Sequence, residues 1–124
     1  MTTDPRTVED VIAYCLAKPG AQETYPFGDH VLVAKVGGKA FAFIGQNAPP
    51  SVGLKCGATE EEAAELRTRY PSTVSVMAYL GRYGWNNIAL TAPVHATVPP
   101  TELAELLDAS YGAVVAKLPK SRRP

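Results

Sequence analysis

Apolar positions recur at helical spacing near both ends of the chain and at strand spacing between them. Val8, Val11, Ile12, Cys15 and Leu16 follow one another by three, one, three and one residues, which is one face of a helix. Asp4 suits its N-cap, and Pro5 suits its first turn, where a missing N–H leaves nothing unbonded. Pro19-Gly20 stops it. Residues 31–36 and 39–44 are apolar runs separated by Gly37-Gly38. Paired glycines accept the positive φ that both central positions of a type I′ turn require, so this segment reads as a β-hairpin. That turn pairs Ala34 with Phe41 and Leu32 with Phe43, and puts those four on one face. Val31, Val33, Ala42 and Ile44 then fall on the other face with Lys35. This second face is also mostly apolar, so the fold covers it or a partner does.

The pattern continues with a loop at Asn47–Pro50 and a short strand over 51–56. Thr59 and Glu62 have the spacing of a capping box, and a helix follows to about Tyr70, where Pro71 stops it. Its acids lie in the first turn and Arg67 and Arg69 in the last, which suits the helix dipole and gives those charges a structural purpose. Extended pieces are predicted over 73–77 and 85–90, and 93–98 reads as connecting chain with room for a short edge strand. The longest helix runs from Thr101 to about Leu118, with Leu103, Leu106, Leu107, Tyr111, Val114, Val115 and Leu118 on its apolar face. Gly112 inside it costs about 1 kcal/mol relative to alanine, which points to close packing there. The order of helix, hairpin, strand, helix, strands and helix predicts an α+β fold: an antiparallel sheet built on a hairpin and packed against about three helices. Residues 1–118 form one domain in this reading, and 119–124 a basic C-terminal tail.

Charge alters the picture less by its sum than by its placement. Twelve basic residues balance twelve acidic ones, which argues against a protein that lives by non-specific grip on phosphate. Four of the twelve basic residues (Lys117, Lys120, Arg122 and Arg123) stand in the last eight positions with no acid among them. The preceding 116 residues keep eight bases against twelve acids. Cys15 and Cys56 are 41 positions apart in a chain without a signal-peptide pattern, and read as reduced thiols with packing roles. No run of 18 apolar residues is present. The expected location is the cytoplasm.

Motifs that carry chemistry are few in this chain. Gly37-Gly38-Lys39 lacks the spacing of a phosphate loop, and Gly81-Arg-Tyr-Gly84 precedes no helix. His30 and His95 have no companion ligand at metal spacing. Asp29-His30 is the one local acid–base pair, and a polar start to the strand accounts for it equally. No Gly-x-Ser-x-Gly elbow occurs, and Lys55 and Cys56, adjacent on a strand, point to opposite faces. Neither a catalytic group, a metal nor a cofactor is expected. Arg82 among Tyr79, Tyr83 and Trp85 offers cation and stacking surface together, the combination that suits nucleic acid.

Several ordered segments resemble the MmcQ/YjbR family. They are Pro19-Gly-Ala-Gln-Glu-Thr-Tyr-Pro-Phe-Gly28, Val33-Ala-Lys-Val-Gly-Gly-Lys-Ala-Phe41, Leu54-Lys-Cys56, Leu66-Arg67, Tyr70-Pro71, Trp85-Asn86, Ser110-Tyr111 and Val114-Val-Ala-Lys-Leu-Pro-Lys120. The resemblance implies an α+β fold similar to secretion-chaperone-like folds. It also implies the family's description as predicted DNA-binding proteins with a double-wing motif; it brings no catalytic residues. Many members carry a His-Met-Asn-Lys segment and a second histidine just before the tryptophan. Here that stretch is Tyr79-Leu-Gly-Arg-Tyr-Gly-Trp85, with Arg82 as its only charge.

The leading expectation is therefore a non-enzymatic DNA-binding protein. Lys117, Lys120, Arg122, Arg123 and Arg82 would contact phosphate, and Lys35 and Lys39 would act on a hairpin wing. Two alternatives stay open. One is a protein-interaction module or homodimer that uses Val31, Val33 and Ile44. The other is a small-ligand pocket lined by Tyr25, Phe27, Tyr79 and Trp85 near Arg82. No membrane partner is expected.

Overall fold

Three helices lie on one face of a six-stranded antiparallel sheet in the computed structural model, which describes residues 4–91 and 97–124. The elements are α1 (Val8–Leu16), β1 (Gln22–Thr24), β2 (Val31–Val36), β3 (Lys39–Gly45), β4 (Ser51–Lys55), α2 (Glu60–Arg69), β5 (Val74–Val76), β6 (Trp85–Ala89) and α3 (Pro100–Ala116). The strand order is β1-β2-β3-β4-β6-β5. The predicted α+β class, hairpin and three helices are all present. The connecting chain read over 93–98, with its room for an edge strand, falls largely outside the described residues, as does His95.

The helices meet the sheet through a continuous apolar core. Val11 and Cys15 of α1, Leu66 of α2 and Leu103, Leu107 and Val114 of α3 pack on Leu32, Ala34, Ala42, Ile44, Val52, Leu54 and Ile88. Burial of a side chain of this size contributes roughly 1.5–3 kcal/mol relative to exposure. Ser110 is the polar exception on α3. Fully buried, its hydroxyl donates to the Phe41 carbonyl at 2.6 Å and accepts the Lys55 N–H at 3.0 Å, tying β3 and β4 to the helix.

Four local expectations need correction. The N-cap of α1 is Thr7, not Asp4: its hydroxyl accepts the Asp10 N–H at 3.1 Å while the Asp10 carboxylate accepts the Thr7 N–H at 3.3 Å. This reciprocal box satisfies two end groups, more than a lone Asp cap offers. Pro5 lies buried ahead of the helix, and the Asp4 carboxylate accepts from Thr101 Oγ1 at 3.1 Å. At the N-terminus of α2, Thr59 accepts the Glu62 N–H at 3.3 Å, but Glu62 reaches back to the Ala58 N–H at 2.8 Å instead of Thr59. A Cβ at Gly112 would meet nothing within 4 Å, so that glycine marks open surface rather than tight packing.

The fourth correction is the hairpin register. Gly37 and Gly38 have φ of 59° and 83°, as the I′ turn requires. Val36 pairs with Lys39 and Lys35 with Ala40, but a β-bulge then shifts the ladder, and Ala34 pairs with Ala42, Leu32 with Ile44 and Val33 with Phe43. The extra residue turns Phe41 toward the helices, where its ring meets that of Tyr111 edge-on at 5.2 Å. Phe43 is left on the opposite face, edge-on to Trp85 at 5.5 Å. Ile44 is correspondingly fully buried under the helices, and Val33 is also buried. The face predicted from Val31, Val33 and Ile44 therefore does not exist as one exposed surface. The sheet side that holds Phe43 is covered in part by the chain after β5. A Cβ at Gly53 would stand 2.7 Å from Met77 Sδ, so the Met77 side chain lies directly over that strand position.

Candidate functional site: a basic groove at the end of the sheet

β3 begins, β4 ends, β6 begins and α3 ends at one end of the sheet. Lys39, Lys55, Trp85 and Lys117 stand at those ends. With Tyr83 they line a groove of about 360 Å³. A second groove of about 380 Å³ shares Lys55, Ala58, Ala113 and Lys117 with the first and continues along α3 past Ala109 and Cys56. The two form one trough with lysines where they meet.

The groove is held from several directions. Lys55 is fixed at its backbone by Ser110 and at its tip by the Tyr83 carbonyl, to which Nζ donates at 2.6 Å. Tyr83 closes a 3₁₀ turn, Gly81–Tyr83, that the left-handed Gly84 redirects into β6. The Cys56 N–H donates to the Gly84 carbonyl at 2.7 Å and keeps that turn against β4. The Arg82 guanidinium lies 4.9 Å over the Tyr83 ring. Tyr83 keeps 50% of its surface exposed, whereas Trp85 keeps 8% and forms wall rather than platform.

The electrostatics favour an anion. Partial burial and the like charge of Lys117 push the Lys55 pKa down, and Glu62 pulls it back. The Glu62 carboxylate is itself bonded to the Ala58 N–H. Among the described residues the ion pairs are Lys18–Asp108, Arg67–Glu60 and Arg69–Glu102, so Lys39, Lys55 and Lys117 have no carboxylate partner. An anion in the groove would relieve repulsion between lysines that the fold has drawn together.

The tail belongs to this end of the molecule. After α3 it forms a 3₁₀ turn, Lys120–Arg122, against the hairpin tip. A Cβ at Gly37 would stand 2.6 Å from Leu118 Cδ1 and 3.2 Å from the Arg122 carbonyl oxygen. Lys120 and Arg122 remain exposed beside the tip. Arg123 does not point outward as a free cation. Its Nε donates to the Leu118 carbonyl at 2.9 Å and its Nη2 to the Ala116 carbonyl at 3.0 Å, so it caps the carbonyl end of α3. Lys35, half-buried on β2 opposite Gln22, does not line the groove.

The residues predicted for a ligand pocket are dispersed. Trp85 lines the basic groove, while Phe27 and Tyr79 line a different, apolar groove with Val31, Phe43, Val76 and Met77. Tyr25 lines neither and donates its hydroxyl to Glu23. Tyr79 is 97% exposed at a φ of 64°, an uncommon conformation for a residue with a Cβ. The sequence reading missed Lys55 as a site residue, because on a strand it appears only as a neighbour of Cys56. Its place in Leu54-Lys-Cys56, one of the segments that carry the family resemblance, was the available signal.

Comparison with known proteins agrees with this fold. The family model described as YjbR matches residues 16–113. The proteins described as "Uncharacterized protein YjbR" from Escherichia coli strain K12 and from Escherichia coli O157:H7 are each 30% identical over 118 residues, covering 94% of this chain and 94% of theirs. The crystal structure of Deinococcus radiodurans protein DR2400, described with a DUF419 domain, superposes with a TM-score of 0.81 at 31% identity, covering 98% of this chain and 88% of that one. The chain belongs to the YjbR family.

Proposed function

We propose that this protein binds DNA through the basic end of the sheet and catalyses no reaction there. The observation that carries the reading is the convergence of Lys39, Lys55 and Lys117 on one groove without a carboxylate partner. Lys120 and Arg122 extend the positive surface beside the hairpin tip, and Arg82 extends it beside Tyr83. Phosphate contact of this kind supplies affinity and little sequence information. Cytoplasmic nucleic acid is the polyanion such a surface would meet. The apolar groove under Tyr79 is lined by no charged side chain and selects no partner chemistry.

The test is a titration of a labelled duplex by fluorescence anisotropy across a salt series. Three lysine–phosphate contacts give a slope of log K against log salt of about −3. Lys55→Met, which keeps the stem and removes the charge, is expected to reduce that slope by about 1. Absence of binding at about 50 mM salt by the duplex and by its separated strands alike, or a slope near zero for whichever binds, contradicts the reading.

A further inference from the structure

The shape of the trough says more than its charge. A duplex offers phosphates on a convex surface and keeps its bases stacked inside, so an open groove gains nothing from the base. An unpaired strand offers phosphate and base edge together. Each groove, at about 360 and 380 Å³, falls within the roughly 300–1,000 Å³ range of small-ligand sites. They share Lys55 and Lys117 among their lining residues, so two sockets border the same pair of lysines. Tyr83 lines the first socket, half-exposed, with its ring steadied by Arg82. The walls of the second, Ala109, Ala113 and Ala116, are short enough to leave room beside α3.

We propose that the trough takes consecutive nucleotides of a single strand. Phosphates lie at Lys39, Lys55 and Lys117, and one base stacks on Tyr83, so single-stranded nucleic acid is preferred over duplex. This rests on the reading of the basic end as a DNA site and names the form of DNA it accepts.

The probes are a labelled thymidine oligonucleotide of about 12 nucleotides, the same strand annealed to its complement, and unlabelled thymidine monophosphate as competitor. The single strand is expected to bind about tenfold or more tighter than the duplex. Tyr83→Ala leaves the backbone carbonyl that Lys55 uses and is expected to weaken the single strand roughly tenfold, the scale of one lost stacking contact, with little change for the duplex. Tyr83→Phe keeps the ring and is expected to restore binding, which separates stacking from misfolding. Equal or tighter binding of the duplex overturns the proposal, as does a Tyr83→Ala variant that binds the single strand like the parent. Displacement by thymidine monophosphate at micromolar concentration also overturns it, in favour of a free nucleotide. Duplex binding with the expected salt slope but no single-strand preference leaves the DNA reading standing and removes only this one. Failure of both probes at about 50 mM salt removes both.

Discussion

Cys15 and Cys56 show how far burial alone moves a side chain's chemistry. Burial pushes the Cys15 thiol up to about 12, against a small opposing pull from Lys18. Burial likewise pushes Cys56 up to about 11, although hydrogen bonding with Asn86 and the charge of Arg67 work the other way. Tyr14 is raised to about 12 by burial and by its hydrogen bond to Asp108. In the unfolded chain the two thiols ionise near 9 and the phenol near 10. The folded chain therefore keeps protons that the unfolded chain releases, and each group costs stability as pH rises from its unfolded toward its folded value. The denaturation midpoint is expected to fall as pH rises from about 9 toward 12 and to be insensitive to these groups below that window. At about pH 8 a thiol reagent should label the native protein slowly, Cys56 before Cys15, and both at once in denaturant. A native thiol that reacts as fast as a free one would contradict the burial described. The packing role read for both cysteines from the sequence agrees with this environment. Periodicity placed Cys15 on the apolar face of its helix, and no comparable signal showed that Cys56 borders the basic trough.

At the scale of elements, what was legible depended on whether the cause was local. Gly37-Gly38 dictates its own turn through φ alone, so the hairpin is plain in the sequence. The bulge two pairs later is not. Both faces of β2 and β3 are apolar, so alternation cannot reveal one extra residue, and the contacts that Phe41 gains there, with Ser110 and Tyr111, come from a helix about 70 positions away. β1, three residues of Gln-Glu-Thr, has no apolar alternation to be read and forms only because β2 offers it an edge. The same distinction governs the two turn glycines. A side chain at either would adopt a left-handed φ at a cost of about 1–2 kcal/mol. At Gly37 it would also drive into Leu118 and the Arg122 carbonyl, whereas at Gly38 it meets nothing within 4 Å. Gly37→Ala is therefore expected to destabilise the fold by more than Gly38→Ala, by about 1 kcal/mol or more, and to raise proteolysis of the tail. Equal melting temperatures for the two variants would show that the tip and the tail are not packed together.

Across the whole molecule a net charge of zero conceals an ordered distribution. Two of the three acids of α3 hold other cations: Asp108 takes Lys18 and the Tyr14 hydroxyl, and Glu102 takes Arg69 and the Tyr70 hydroxyl. Arg67, which donates to the buried Asn86 at 2.7 Å, stiffens the junction of α2 with β6. Among the described cations without a carboxylate partner, Lys39, Lys55 and Lys117 collect where the strands and α3 end, while Arg6 and Lys35 do not. The basic tail was visible in the sequence. Its convergence with Lys39 and Lys55 was not, since the three lysines are brought together by topology and not by spacing. That convergence is tested most directly by lysine footprinting: acetylation of the native protein with and without an oligonucleotide, read residue by residue by mass spectrometry. Lys39, Lys55 and Lys117 are expected to lose reactivity together when the oligonucleotide is present, while Lys18, engaged with Asp108 and the rings of Tyr14 and Tyr111, is unchanged. Protection that falls elsewhere, or on one of the three without the others, would contradict a single basic site at the end of the sheet.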